Sequence, residues 1–174
     1  STDNLVNMKD NFNFVLPKFY PFSIGNDVEM PIETDLNSSM FYYTDSGYVK
    51  TDDWTDVDPE KFLKELIENY KASNETRKKN GQSTVMNVSW KKKPYLDGIY
   101  NSVYYALNIT WSDNTSTVEG VAIILGREGY TTGKYVGGEN GYQEQMLLNL
   151  SKIHKFNSTK EYKDWKSGDK VAAA

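Results

Sequence analysis

Few side chains in this sequence can do covalent chemistry. The chain has no cysteine and one histidine, His154. Thiol nucleophiles, Cys-ligated zinc, iron–sulfur clusters and disulfides are therefore excluded. An activated hydroxyl needs a base that is itself oriented by a third group. His154 lies between Ile153 and Lys155 at the end of a helical pattern, where it is expected to face solvent with no acidic orienter beside it. Triads of the Ser/His or Cys/His kind are thus not expected, and only carboxylate, Lys or Tyr chemistry stays open. Asp52, Asp53, Asp56 and Asp58 form an acidic cluster whose spacing could offer oxygen ligands to Ca²⁺. The cluster lacks the glycine and terminal glutamate of an EF-hand loop, and helix capping accounts for Asp58. No metal and no cofactor is expected.

Binding residues are better represented than catalytic ones. Leu125-Gly126-Arg127-Glu128-Gly129-Tyr130 is the sharpest local motif. It reads as a strand ending in a hairpin, with Gly126 or Gly129 in backbone angles closed to other residues, as at Gly47. Arg127 has two readings. Its fork of donors can hold an anionic ligand, or it can pair with a carboxylate such as Asp53. Tyr48 and Lys50 of the segment Gly47-Tyr48-Val49-Lys50, together with Trp90, join Arg127 as candidate ligand contacts. Lys91-Lys92-Lys93-Pro94 reads as a solvated loop, or as a contact for anionic headgroups if the domain sits near a membrane.

The formal net charge of −4 argues against a nucleic-acid partner, because backbone binding depends on neutralising phosphates. The 13 tyrosines can fill apolar space while keeping a polar tip, which suits a half-wet sheet or a ligand groove. No stretch approaches the roughly 18 apolar residues of a membrane span.

The elements that must position these residues can be read from hydrophobic period. Phe12, Phe14 and Leu16 alternate, as in a short strand stopped by Pro17. Gly25 to Ser38 is polar and irregular. Met40 to Lys50 reads as a strand, with Phe41 and Tyr43 on one face and Met40 and Tyr42 on the other; Asp45-Ser46-Gly47 is turn chemistry, so the run is either a strand with a bulge or a tight hairpin. Asp58-Pro59 is a helix start, and Phe62, Leu63, Leu66, Ile67 and Tyr70 form one apolar stripe. That helix is expected to run to about Lys79 and stop before Gly81. Alternation then returns at Met86–Trp90, Val103–Trp111, Val118–Leu125 and Tyr130–Val136, as consecutive antiparallel strands. Val121–Leu125 is nearly all apolar and reads as the most central strand. Tyr142, Met146, Leu147, Leu150 and Ile153 mark a second amphipathic helix. Phe156 suits a short last strand, and Ser158 can cap a final turn carrying Tyr162 and Trp165. The expectation is a single α+β domain over residues 1–174, an antiparallel β-meander covered by two main amphipathic helices. This order of elements resembles the Mog1/PsbP-like fold.

Several short segments recur in order: Gly47–Lys50, then Asn74-Glu75-Thr76-Arg77, then Trp90 with Pro94-Tyr95, the Leu125–Tyr130 block, and Tyr162-Lys163-Asp164-Trp165 running into Asp169-Lys170-Val171-Ala172. This series resembles a bacterial family of predicted membrane-anchored proteins with an extracytoplasmic domain of unknown function. The resemblance covers roughly Phe12 to the C-terminus. It implies a removed signal peptide ahead of the domain, hydrophobic membrane segments just beyond Ala172, and a location on the cell surface or periplasmic side. It supplies no catalytic residues. The sequence departs from the family pattern at Ser89-Trp90, which leads into three lysines, at Tyr105-Ala106, and at Val118-Glu119-Gly120. The reading is a non-enzymatic binding or scaffold module whose partner is an envelope protein or a small ligand. The alternative is an enzyme using carboxylate, Tyr or Lys chemistry. A deep pocket with convergent polar groups would favour the enzyme; a flat sheet with an exposed aromatic patch would favour the scaffold.

Overall fold

The computed structural model describes residues 10–14, 23–24, 28–31 and 38–173. The chain forms β1 (Phe12–Phe14), β2 (Ser23–Ile24), β3 (Val28–Pro31), β4 (Ser38–Thr44), α1 (Asp52–Thr55) and α2 (Pro59–Lys79). It continues through β5 (Val85–Asp97), β6 (Ser102–Trp111), β7 (Ser116–Leu125), β8 (Tyr130–Gly137), α3 (Gln145–Ile153) and β9 (His154–Phe156). Seven strands form one antiparallel sheet in the order β2-β3-β4-β8-β7-β6-β5. A small second sheet pairs β1 with β9. This is the expected α+β meander, with one main helix on each face of the sheet.

The alternation of β6 and β7 creates two separate cores. Val103, Tyr105, Leu107, Val121, Ile123 and Leu125 face α2. Tyr104, Ala122 and Ile124 point the other way, where Leu147 and Leu150 of α3 meet Phe12, Phe41 and Phe156. From Val118 onward β7 is buried on both faces, which explains its nearly continuous apolar run.

Helix α2 has the boundaries its sequence dictates. The Asp58 side chain accepts from the Glu60 backbone N–H at 3.0 Å, Pro59 opens the helix, and Gly81 follows the C-cap at φ +68°. Asn74 pins the far end: its Nδ2 donates to the Val85 carbonyl at 3.0 Å and its Oδ1 accepts from the Val85 N–H at 2.8 Å. The side chain thus mimics a strand partner and ties α2 to the start of β5.

Several expectations are corrected. Lys91, Lys92 and Lys93 lie within β5 and are not a loop. The strand is at the sheet edge, where Pro94 sacrifices no ladder bond and lysines discourage pairing with other chains. The lysines meet Glu139 at 3.8 Å, Glu144 and, at 3.9 Å, Glu60. The polar stretch Gly25 to Ser38 contains β3, and β2 lies just ahead of it; both are short strands without a strong alternation. Glu161 caps the final turn at Tyr162–Asp164, reciprocally with Asp164, in place of Ser158. The stop expected at Pro17 lies outside the described residues.

His154 is the largest correction. It is 7% exposed, stacks on Phe12 at 4.7 Å between ring centroids, and meets Phe156 edge-on at 4.6 Å. Its Nε2 lies 2.9 Å from Thr131 Oγ1. Burial pushes its pKa down to about 3. It follows α3 as the first residue of β9, so the strand's alternation decides its direction, and the helical pattern ends one residue earlier.

Candidate functional site

The four residues singled out from sequence fall into two clusters. Tyr48 and Arg127 each contact the C-terminal segment, with Lys50 exposed two residues beyond Tyr48. Trp90 stacks beside α2. The first cluster gathers four of the sequence motifs. Tyr48 forms a parallel bridge with Val171: its N–H donates to the Lys170 carbonyl, and its own carbonyl accepts from the Ala172 N–H, both at 2.9 Å. Its ring stacks on Tyr162 at 4.5 Å and on Trp165 at 5.1 Å. The Tyr162 hydroxyl donates to the Val49 carbonyl at 2.9 Å.

Arg127 holds this cluster together. Its Nε and Nη2 donate to the two oxygens of Asp169 at 2.8 and 3.1 Å, and Nη1 donates to the Thr159 carbonyl at 3.0 Å. Asp169, forty-two positions along the chain, is the carboxylate partner; Asp53 is not. The hydrogen bond from Arg127, with a second from the Lys166 N–H, pulls the Asp169 carboxyl down to about 2. The guanidinium fork that could have gripped a ligand is engaged by the protein itself.

The glycines of these motifs serve in two ways. Gly47 has φ +88°, and an added Cβ would sit 3.0–3.1 Å from Lys170, Val171 and Ala172. Gly126 and Gly129 are needed for space and do not have positive φ. A Cβ at Gly129 would lie 2.0 Å from the Thr44 carbonyl oxygen, and one at Gly126 would strike the Phe156 ring at 2.6 Å.

A different region has the shape of a binding site. Between α2 and the sheet lies a cleft of about 650 Å³. One wall is the α2 stripe Phe62, Leu66, Asn69, Tyr70, Ser73 and Arg77, and the floor is built by β4, β6, β7 and β8. At the N-terminal end of α2, Phe62 meets Trp54 edge-on at 5.6 Å, Tyr105 edge-on at 5.4 Å and Trp90 in a stack at 5.9 Å. Val49, next to Tyr48, reaches the same cleft and links it to the motif cluster.

Polar groups converge in the middle of the cleft. Glu119 accepts a hydrogen bond from the Tyr70 hydroxyl on one oxygen and pairs with Lys134 Nζ at 3.1 Å through the other. Burial and the Glu119 charge push the Tyr70 phenol well up. Burial alone would lower Lys134, but Glu119 and Tyr42 outweigh it and the net shift is upward. Burial, with Glu119 a smaller cause, likewise raises Tyr105 far above the usual phenol range. Arg77 closes the far end, its guanidinium 4.8 Å from the Trp111 ring and its Nε buried without a hydrogen-bond partner.

Tyr70, Glu119 and Lys134 were not among the sequence candidates, although a signal for them existed. Glu119 shares the parity of Val121, Ile123 and Leu125, so it is a carboxylate on an apolar face. Lys134 shares the parity of Thr132 and Tyr130 on β8. A charge at a core-facing strand position needs a partner, and two such positions on neighbouring strands supply one another.

The fold is thus an α+β domain with a helix-walled cleft on one sheet face. The chain belongs to the family described as Protein of unknown function (DUF2167), whose model matches residues 24–174. No curated protein matches the chain. Among the described residues no helix is long and apolar enough to cross a membrane, and no cluster of three metal-ligating side chains occurs.

Proposed function

We propose that this chain is a non-catalytic ligand-binding domain of a membrane-anchored bacterial envelope protein, with the cleft beneath α2 as its binding site. The observation that carries the reading is the cleft itself: about 650 Å³, aromatic at one end, with polar groups converging on its floor. That combination is the usual form of a small-molecule site. The protonation chemistry favours binding over catalysis. A Tyr base or a Lys nucleophile works when its pKa is lowered toward neutrality. Tyr70 and Lys134 both move upward, away from that range. The Thr131–His154 pair lies on the other sheet face, with Thr131 fully buried and His154 held neutral, so it has no route to a substrate in this cleft.

The envelope location and membrane anchor rest on the ordered motif resemblance.

Thermal melting with a panel of small apolar, anionic and cationic compounds tests the binding claim, because a ligand that binds only the native state raises Tm. Stabilising compounds should lose their effect in Leu66→Trp, which fills the cleft. Stabilisation unchanged in that variant places the site elsewhere and contradicts the reading. Product formation that disappears in Glu119→Gln would restore the enzyme alternative. Protease accessibility of the full-length protein in intact spheroplasts tests the location; a protected domain rejects it.

A further inference from the structure

The cleft carries one uncompensated charge, and it sits at one end. Of the residues lining it only Glu119, Lys134 and Arg77 are charged. Glu119 and Lys134 pair with each other, and the second Glu119 oxygen is taken by Tyr70. Among the described residues Arg77 has no ion-pair partner, and its Nε is buried with no acceptor. A guanidinium group with a dry, unpartnered donor is costly, and it is relieved by a bidentate anion. Stacking on Trp111 orients the fork without supplying an acceptor.

The opposite end is apolar. Phe62 and Arg77 lie on the same stripe of α2, and at about 1.5 Å per residue they are separated by roughly 22 Å along the helix axis. Trp54, Phe62 and Tyr105 make the apolar end. Between the two ends the floor is an internally neutralised pair, which repels neither an apolar chain nor a polar one. The site therefore has a direction: aromatic at one terminus and cationic at the other.

From this we infer that the cleft takes an elongated amphipathic anion, its carboxylate or phosphate head on Arg77 and its apolar tail among Trp54, Phe62 and Tyr105. The inference rests on the cleft being the binding site and adds the chemical class of its ligand. A carboxylate and a phosphomonoester head share the chemistry that Arg77 recognises, and they differ in charge and in the number of acceptors.

Calorimetric titration with four single-chain probes below their micelle concentrations tests the assignment: dodecanoate, dodecyl phosphate, dodecanol and dodecyltrimethylammonium. Either anion should bind one to one, and the tighter of the two identifies the head. The neutral and cationic probes should bind at least roughly tenfold more weakly. Arg77→Gln should weaken the anions by roughly tenfold or more and leave dodecanol unchanged. Arg77→Lys should fall between, since it keeps the charge and loses the fork. Unchanged melting temperature in Arg77→Gln confirms that the variant is folded; if it is not, the Lys variant against the four probes carries the test. Equal binding of all four probes, blocked by Leu66→Trp, overturns the anion assignment and leaves the cleft reading intact. Binding of none of them overturns the amphiphile inference, while the compound panel still decides whether the cleft binds anything.

Discussion

The two faces of the sheet are built differently, although each is covered by one main helix. Helix α3 has nine residues and buries Met146, Leu147, Leu150 and Ser151. Helix α2 has twenty-one, and among them no residue is fully buried. On the α3 face small residues let the helix sink onto the strands: a Cβ at Gly120 would come within 2.7 Å of Leu147, and Ala106 and Ala122 are completely covered. A buried polar chain closes it, from the Tyr104 hydroxyl to Ser151 Oγ at 2.9 Å and on to Ser102 Oγ at 3.1 Å. On the α2 face large aromatic rings hold the helix away from the sheet, leaving the cleft. Close packing on one side secures the fold, while the other side keeps a cleft. An interior at native density has no room to bind anything.

The sharpest way to break this contrast is truncation on each face. Leu147→Ala should cost about 2–5 kcal/mol by chemical denaturation, the range for a fully buried leucine. Leu66→Ala, beside the cleft, should cost less than about 2 kcal/mol because its side chain is already partly wet. Equal costs would mean that the faces are energetically alike. Gly129→Ala should come next, at roughly 1–3 kcal/mol, since a backbone carbonyl stands in the space the methyl needs. Stability unchanged within about half a kcal/mol would refute the close-approach argument there.

His154 gives the α3 face a pH signature. Its pKa falls from 6.5 unfolded to about 3 folded, so between these values the unfolded chain binds the extra proton. Stability is therefore full above about pH 6.5 and declines as pH falls, by up to about 1.4 kcal/mol per unit, until about pH 3. His154→Phe keeps a ring on Phe12 and should flatten that decline. An unchanged acid limb would show that carboxylates alone set it. The Arg127–Asp169 pair should have the smallest effect of these. Arg127→Ala should lower Tm, and Arg127→Lys should lower it less, because the bidentate geometry is lost while the charge remains. If both melt like the parent, the pair contributes nothing to fixing the C-terminal segment.

Most of the fold was legible in the sequence because hydrophobic period changes cleanly from helical at Phe62–Tyr70 to alternating at Val103–Leu125 and back at Met146–Ile153. The cap at Asp58 and the stop before Gly81 were equally plain. β2 and β3 were missed because two- and four-residue strands are too short to establish a period. The site was less legible. Arg127 stands in a distinctive motif, but its partner Asp169 lies too far along the chain for spacing to reveal. Arg77 lay within a noted motif, but its role depends on the path of the whole helix. Tyr70, Glu119 and Lys134 come together only through the register that sets Val121 opposite Lys134.

An amide shift map of the ¹⁵N-labelled protein titrated with dodecanoate tests the division between the two faces most directly. Perturbations should concentrate on α2 from Phe62 to Arg77 and on the facing positions of β6, β7 and β8, with α3 and β9 unmoved. Perturbations centred on α3, or on the Tyr48–Asp169 cluster with α2 silent, would contradict the account.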